Sequence, residues 1–280
     1  MKCILCDSTD NKKRDGSVRD NKNLDILECQ NCGLVYLSSN EHINEEFYED
    51  SNMHAQINFE KWKNDTIKDD ERRFDFLKRS LINAEVMDFG SGNGGFLERA
   101  NKISSYSCGV ELESAVKPFY DKNKIDLFKD LNDIKKNFDL ITSFHVLEHL
   151  SNPHEILKLM KSKLKENGKI IIEVPNANDA LLTIYENEAF SHFTYWSCHL
   201  YLHTDFTLKM LAKQCGLKVD FIKYVQRYPL SNHLYWLSKG KPAGDKVWGN
   251  FIDSPALVSA YEEQLASLGA TDTIMLQLSL

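Results

Sequence analysis

The sequence predicts an α/β fold built on a mainly parallel sheet, with a small cysteine-bearing ribbon ahead of it. Three observations predict this architecture: two closely spaced cysteine pairs near the N-terminus, a strand that runs into a glycine-rich turn at 85–97, and apolar strand patterns that alternate with helical ones. A chain of 280 residues can hold one large α/β domain and a small appendage.

Composition narrows the class of protein. Apolar residues make up 42% of the chain, which is typical of a packed globular protein. No apolar run approaches the roughly 18 residues that cross a bilayer, and no hydrophobic signal region opens the chain, so the sequence predicts a cytoplasmic protein. The 34 basic against 41 acidic residues give a net charge of −7, which disfavours nucleic acid as a partner.

Two Cys-x-x-Cys pairs, Cys3 with Cys6 and Cys29 with Cys32, predict a zinc ribbon over residues 1–39. Each pair suits a tight turn that presents two thiolates, and two such turns supply a tetrahedron of sulfur ligands. Because four protein ligands leave no position for water, we expect a structural zinc ion. Redox dithiols are the alternative, but that chemistry uses one motif at a strand-to-helix junction.

Residues 40–70 predict a bridge with local helix between the ribbon and the main domain, which we expect over 71–280. The bridge carries large apolar residues at irregular intervals: Phe47, Tyr48, Met53, Phe59 and Trp62. We favour packing of the ribbon on the main domain as their role, with closure over a ligand as the alternative. Helical spacing of Phe74, Leu77 and Leu81 then predicts a helix that leads into the main domain.

The strand at 85–89 ends in a turn with G-x-G-x-x-G spacing, which indicates a nucleotide-like ligand, at Gly90, Gly92 and Gly95. Asp88 precedes these glycines and would repel a pyrophosphate but attract a cationic amino group. A second strand ends at Glu111, an acid placed to bind ribose hydroxyls. S-adenosylmethionine (SAM), a cationic and phosphate-free adenosine derivative, therefore fits this loop better than a dinucleotide.

The remaining elements continue the alternation of strand and helix. A buried strand at 138–144 is followed by a helix that we expect to start at Pro153 and to run through Leu164 until Asn167 and Gly168 stop it. Further strands are predicted at 169–174, 217–225 and 271–278. The segment 228–268 is predicted to be an insertion that could cover the substrate that binds beside the cofactor. Its Lys239 and Lys241 could bind an anionic group of that substrate, such as a phosphate.

Together these segments resemble class I SAM-dependent methyltransferases, from about Asp70 to Val225. The resemblance implies a Rossmann-like sheet of seven strands and SAM as cofactor. It assigns the methionine moiety to Asp88, Gly90, Ser91 and Gly92, the ribose to Glu111, and the adenine to Leu112, Asp130 and Leu131. Phe144 and His145 would line the sulfonium side.

Transfer of a methyl group to a hydroxyl requires alignment and a base near the oxygen. The histidine- and tyrosine-rich segment 191–203 follows the fifth strand, where acceptors bind in such folds, although a packed aromatic lid is an equal alternative. We predict His199 as the base, His145 at the mouth of the site, and Tyr195 and Tyr201 as positioning groups. We expect His149 to be structural. Related O-methyltransferases of quinone biosynthesis use this Glu-His region around a metal, so metal binding by His149 is the alternative.

A two-pair cysteine ribbon ahead of such a domain is similar to sugar C-methyltransferases of bacterial surface-polysaccharide pathways. Those enzymes carry a further large C-terminal domain, whereas some 55 residues follow Val225 here. We therefore expect O-methylation of a small acceptor such as a nucleotide-linked or phosphorylated sugar. Sugar C-methylation and zinc-ribbon RNA methylation are the alternatives. An NAD-dependent oxidoreductase would leave Asp88 unexplained, and a binding module without catalysis is not indicated by any defect in the loop.

Overall fold

The computed structural model describes residues 2–43 and 59–280. The predictions for Phe47, Tyr48 and Met53 lie outside the described residues. The strands are β1 (Asn11–Lys13), β2 (Ile26–Cys29), β3 (Val35–Leu37), β4 (Glu85–Phe89), β5 (Tyr106–Val110), β6 (Asp126–Phe128), β7 (Phe138–Phe144), β8 (Leu164–Pro175), β9 (Tyr201–Leu202), β10 (Lys218–Val225) and β11 (Thr273–Ser279). The helices are α1 (Phe59–Leu81), α2 (Gly95–Ala100), α3 (Lys117–Asn123), α4 (Pro153–Ser162), α5 (Ala180–Thr183), α6 (Glu188–Ser191), α7 (Asp205–Gln214), α8 (Leu230–Lys239), α9 (Gly244–Ile252) and α10 (Pro255–Ser267).

A seven-stranded sheet organises the main part of the chain, in the order β10-β11-β8-β7-β4-β5-β6. Strands β4 to β8 are parallel, and β11 is inserted antiparallel between β8 and β10. The mostly parallel α/β sheet predicted from the sequence is thereby confirmed. The strand order reverses between β4 and β7, and in open α/β sheets ligands bind at such a switch point, outside the carboxyl ends of the strands.

Alternation along the central strands divides the core into two faces. Val86, Leu140 and Ile171 belong to the buried cluster on one face, together with residues of α1, α2 and α3. Their neighbours Met87 and Ile141 belong to the cluster on the other face. Both faces are covered because helices connect parallel strands, so these strands are apolar at successive positions.

The N-terminal ribbon is part of the second core face. Its antiparallel strands β1, β2 and β3 are extended by β9, which the main domain contributes, to give a four-stranded sheet. Leu34 and Tyr36 of the ribbon are buried in the same apolar cluster as Ile141 and Leu200. The ribbon is therefore fixed to the segment that follows α6 by both backbone pairing and apolar burial.

One helix boundary predicted from the sequence is wrong. Helix α4 ends at Ser162, and Leu164 already pairs with Phe138 at the start of β8. Asn167 and Gly168 therefore lie inside a strand, where a Cβ on Gly168 would stand 2.7 Å from the Phe138 carbonyl oxygen. The glycine relieves a crowded strand irregularity, whereas we expected it to terminate the helix.

Three helices, α8 to α10, occupy the segment between β10 and β11. Within residues 2–43 and 59–280, none of the helices is both long and apolar enough to span a membrane.

Candidate active site

The glycine-rich turn lies at the carboxyl end of β4, directly after a buried carboxylate. Asp88 is 3% exposed, and its Oδ1 accepts a 2.7 Å hydrogen bond from Thr142 Oγ1 on β7. Burial raises the pKa of Asp88 to about 7, because the Thr142 hydrogen bond and the Arg73 charge offset it only in part. Gly90 and Gly92 have positive φ, and a Cβ on Gly90 would lie 2.3 Å from Val146 Cγ2.

A second carboxylate reaches the same turn from the neighbouring strand. Glu111 follows β5 and accepts hydrogen bonds from the backbone N–H groups of Gly92 (2.8 Å) and Glu113 (3.0 Å). The structure thus brings Glu111 to the turn that Asp88 precedes, while Ser91 Oγ is 2.7 Å from the Tyr120 hydroxyl oxygen.

The residues predicted to contact adenine follow β5 and β6. The Glu111 N–H donates to the Phe128 carbonyl and so joins the ends of these two strands. Asp130 caps the turn at 131–133 and accepts the Asn132 N–H, whereas the Leu131 side chain is 2% exposed and belongs to the core. Leu112 is half-buried beside Glu111.

Helix α1 is bonded to the glycine-rich turn by polar side chains that were not predicted from the sequence. Asn93 donates from Nδ2 to Thr66 Oγ1 (3.0 Å), and the Thr66 hydroxyl donates to Asp70 Oδ2 (3.0 Å). Asn93 Oδ1 also accepts the N–H of Gly95, the first residue of α2. The turn that Asn93 forms with Gly95 is a local pattern that the sequence can indicate, whereas its contact with Thr66 of α1 depends on the tertiary fold.

His145 stands at the end of β7 in a left-handed conformation, with φ of 55°. Its Nδ1 lies 3.4 Å from Glu148 Oε1 and its Nε2 lies 3.3 Å from Glu173 Oε1. Arg227 Nη1 approaches the same Nε2 to 3.2 Å. The side chain of Phe144, by contrast, turns into the core against Phe96, at 5.1 Å between ring centroids.

Glu173 gathers a cluster of charged groups that we did not predict. Its carboxylate is fully buried and accepts hydrogen bonds from Arg72 (2.9 Å) and Arg73 (2.6 Å). Burial alone would raise the pKa of Glu173, but the Arg73 charge and the contacts with His145 and Arg72 hold it well below its usual range. The sequence signal was available: Glu173 interrupts the otherwise apolar run 170–174 in the second half of β8.

The surroundings of His199 bear on its predicted role as the base. Its ring lies 4.9 Å from that of His149 and 5.9 Å from that of Trp196, between centroids. Burial, reinforced by the neighbouring His149, lowers the pKa of His199 to about 3. An imidazole of this kind is neutral at pH 7 and takes up a proton poorly, so His145 is the better candidate for the base.

Tyr195 and Tyr201 do not gather around His145. Tyr195 is 1% exposed and packs against the ribbon, where a Cβ on Gly16 would lie 3.0 Å from its ring. Tyr201 is equally buried in β9, in register with Tyr36 of β3. Burial raises the pKa of both phenols to about 12. Their burial favours packing of the ribbon, and their role in positioning the acceptor stays a prediction.

The four N-terminal cysteines converge. The sulfur atoms of Cys3, Cys6, Cys29 and Cys32 all lie within 4.8 Å of one another. The Cys3–Cys32 and Cys6–Cys29 Sγ separations are 3.5 and 3.4 Å. Four thiolates at about 2.3 Å from a zinc ion would stand roughly 3.8 Å apart, so the cluster needs only a small adjustment to fit one.

The comparisons with known proteins identify the family. Residues 51–220 match the family model described as a methyltransferase domain. The chain belongs to this methyltransferase family. It is a SAM-dependent methyltransferase, and the family match covers the glycine-rich turn and the strands that surround it.

Relatives of this methyltransferase include two named enzymes. The ubiquinone biosynthesis O-methyltransferase of Hydrogenovibrio crunogenus is 24% identical over 187 residues, which are 58% of this chain and 77% of that protein. The tRNA U34 carboxymethyltransferase of Helicobacter acinonychis is 30% identical over 129 residues, 40% of this chain and 49% of that protein.

Two solved structures share the fold of this methyltransferase. A SAM-dependent methyltransferase from Archaeoglobus fulgidus superimposes with a TM-score of 0.52 at 21% identity, over 76% of this chain and 94% of that one. The magnesium protoporphyrin IX methyltransferase of Synechocystis PCC 6803, solved with bound SAH, gives 0.53 at 10% identity, over 83% and 96%.

Proposed function

We propose that this methyltransferase transfers the SAM methyl group to a hydroxyl oxygen of a small polar acceptor, bound where β7 and β8 end. The observation that carries the proposal is the position of His145, which follows β7 directly and lies between the carboxylates of Glu148 and Glu173. Transfer to oxygen is also the reaction in the name of the Hydrogenovibrio relative.

The chain's own residues fit SAM. The Asp88 carboxylate would hold the cationic amino group, and Glu111 would release the Gly92 N–H to accept the ribose hydroxyls. The backbone of Gly90, Ser91 and Gly92 would line the methionine moiety without a Cβ at either glycine. Leu112, Asp130 and the backbone at Leu131 would flank the adenine. His145 would face the sulfonium, next to the backbone of Phe144, because the side chains of Leu131 and Phe144 are buried.

When bound, SAM supplies a methyl group on a positively charged sulfur for an in-line displacement. The protein then has to align the acceptor oxygen and remove its proton. His145 would take that proton, and the flanking carboxylates would orient the ring and balance the charge that it gains. Arg72 and Arg73 keep Glu173 ionised beside the ring.

We propose that the segment between β10 and β11 covers the acceptor, and its contacts with the site support this role. Arg227, at the end of β10, contacts both His145 and Asp69. Gln226 then joins Asp272 to His233 of α8, with contacts of 3.0 and 3.1 Å. We therefore retain the division into a ribbon at 1–39, a bridge at 40–70 and a catalytic domain at 71–280, with a lid at about 228–268.

For the acceptor, we propose a nucleotide-linked or phosphorylated sugar of a surface-polysaccharide pathway. This choice rests on the order of the two parts, a cysteine ribbon followed by a methyltransferase domain, which is similar to that of sugar C-methyltransferases of bacterial surface-polysaccharide pathways. Methylation of a sugar carbon is the alternative, and it would require a base that removes a proton from carbon. RNA is less favoured because the net charge of −7 opposes a phosphate backbone.

We also propose that Cys3, Cys6, Cys29 and Cys32 bind one structural zinc ion. The all-thiolate donor set and the mutual approach of the sulfur atoms support it. Its role would be to hold two turns of a segment that is too small to form a core of its own.

Calorimetry with SAM, S-adenosylhomocysteine and NAD tests the cofactor. We expect micromolar binding of the first two and none of NAD, and the reverse pattern would overturn the assignment. Mass spectrometry of candidate nucleotide sugars after incubation with SAM then tests the acceptor. A single added methyl group that is located on oxygen supports O-methylation, whereas one located on carbon refutes it.

A further inference from the structure

Three metal-ligating side chains converge away from the four N-terminal cysteines. The candidate donor atoms of His149, Cys198 and His199 all lie within 4.8 Å of one another. They come from two distant parts of the chain: His149 ends the turn after β7, whereas Cys198 and His199 precede β9. The tertiary fold therefore creates this cluster, because no sequence spacing links its two parts.

The backbone fixes the orientation of one imidazole. His149 Nδ1 lies 2.9 Å from the Cys198 carbonyl oxygen, which can only accept a hydrogen bond. Nδ1 then carries the proton, so Nε2 is the nitrogen of His149 that can bind a metal ion. A metal-binding histidine commonly donates its second nitrogen to a carbonyl or carboxylate in this way, because the hydrogen bond fixes both the tautomer and the ring.

A buried carboxylate next to the cluster points independently to a cation. Glu148 is 1% exposed, and among the described residues neither of its carboxylate oxygens has a hydrogen-bond partner. Its electrostatic neighbours are His145, His149 and His199, and His145 Nδ1 lies 3.4 Å from Glu148 Oε1. A buried anion without hydrogen bonds is costly, and a nearby cation would offset that cost.

We propose that His149, Cys198 and His199 form a second metal site, which binds zinc through two imidazole nitrogens and one thiolate. This ligand set suits zinc, since imidazole and thiolate are both favoured donors. On binding, Cys198 releases its thiol proton to solvent and forms a sulfur–zinc bond. The buried Glu148 lies beside the site and contributes negative charge.

Three protein ligands leave a fourth position on a tetrahedral zinc ion, as in catalytic rather than structural sites. The side chains of His149 and His199 are half-buried. The site also lies close to His145, which contacts the same Glu148. A hydroxyl or phosphate oxygen is the kind of ligand that the open position would take. The existence of the metal site does not depend on the proposed methyl acceptor.

Metal content of purified chains, measured by mass spectrometry after dialysis against zinc and then buffer, tests the proposal. We expect Cys198→Ala and His199→Ala to contain about one zinc ion fewer per chain than the unaltered protein. Two matched controls, Cys215→Ala and His154→Ala, change the same residue types outside the cluster and should match the unaltered protein. The comparison is between variants, so it does not depend on how much zinc the ribbon holds.

A cobalt titration separates metal loss from misfolding. Cobalt bound by His149, Cys198 and His199 should give a sulfur-to-cobalt absorption component that Cys198→Ala loses, while its circular dichroism and unfolding midpoint without cobalt stay those of Cys215→Ala. Unchanged zinc content and an unchanged cobalt spectrum in both Cys198→Ala and His199→Ala would overturn the proposal. Calorimetry with zinc should lose one binding event in the same variants.

Discussion

Thr142, in the middle of β7, donates its hydroxyl to the Asp88 carboxylate on the adjacent strand β4 over 2.7 Å. Nearly complete burial of the carboxylate raises its pKa, and this hydrogen bond lowers it only in part, so the pKa of Asp88 lies at about 7. The residue that we assign to the SAM amino group is thus held in an environment that favours its neutral form when no cation is bound.

We predict that Asp88→Asn will abolish SAM binding but stabilise the protein without ligand. The pKa of Asp88 is raised on folding, so the group contributes stability below its unfolded pKa of about 4 and loses that contribution as pH rises through about 7. At about pH 8 the isosteric amide avoids the buried charge. Thermal unfolding should therefore shift upward by roughly 2–4 °C for each ~1 kcal/mol gained.

Asp133→Asn is the matched control for this experiment, because Asp133 is exposed and follows the site predicted for adenine. It should change neither SAM affinity nor the unfolding midpoint. Full SAM affinity in Asp88→Asn would remove Asp88 from the cofactor site.

A second prediction concerns the pH dependence of SAM affinity. Below pH 7 a growing fraction of Asp88 is protonated and cannot attract the ligand's ammonium group. Affinity measured by calorimetry should therefore fall towards about tenfold per pH unit in the acid range and level off above about pH 8. A flat profile between about pH 5.5 and about 8.5 would contradict this account of Asp88.

His145→Gln should lower turnover far more than it lowers SAM affinity. Loss of a positioned base costs about 10²–10⁴-fold in rate, whereas His145 contributes only one wall of the cofactor site. His154→Gln provides the control, since His154 is bonded to Gln214 on the surface. Turnover within about threefold of the unaltered enzyme would exclude His145 as the base.

The charge cluster around Glu173 predicts a large effect on stability. In Glu173→Gln, the buried Arg73 and the partly buried Arg72 lose their anionic partner. Breaking a buried ion pair by altering one partner costs about 3–5 kcal/mol in the free energy of unfolding. Denaturant unfolding measures this cost, and Glu166→Gln, an exposed position on the same strand, should change it by less than about 0.5 kcal/mol.

The ribbon should control the order of the segment that precedes β9. Leu37 of β3 donates its N–H to the Leu200 carbonyl, and the Leu200 N–H donates to the Glu148 carbonyl. Removal of zinc by Cys29→Ser or by a chelator should therefore speed hydrogen exchange at 196–202 as well as in the ribbon. Exchange that rises in the ribbon alone would show that the two parts are not coupled.

Much of the fold was accessible from sequence because each central strand carries a local signature. The run at Phe138–Phe144 is buried on both sides in a parallel sheet, and such a strand is mainly apolar. The glycine-rich turn and the two acids that flank it were found for a similar reason, since positive φ selects glycine and the acids follow strand ends. The boundary after Ser162 was missed because helix and strand patterns overlap at Leu164.

The candidate site could be predicted only in part. Asp88, Glu111 and His145 could be predicted because each lies at the end of a predicted strand, and Asp88 also precedes the glycine-rich turn. The partners of His145 could not be predicted in this way. Glu173 lies on the neighbouring strand β8, and Arg227 follows β10, 82 residues further along the chain. The burial that makes His199 a poor base results from its packing against His149 and Trp196, which no local pattern reveals.

The sequence by itself determined the alternation of strands and helices, the glycine turn with its carboxylates, and the two cysteine pairs, because each depends on neighbours within a few residues. Only the tertiary structure decided that β9 completes the ribbon sheet, that Glu148 is buried beside three histidines, and that Cys198 and His199 meet His149. Those relationships depend on which distant segments pack together, and packing sets the burial, and therefore the charge state, of the groups that do chemistry.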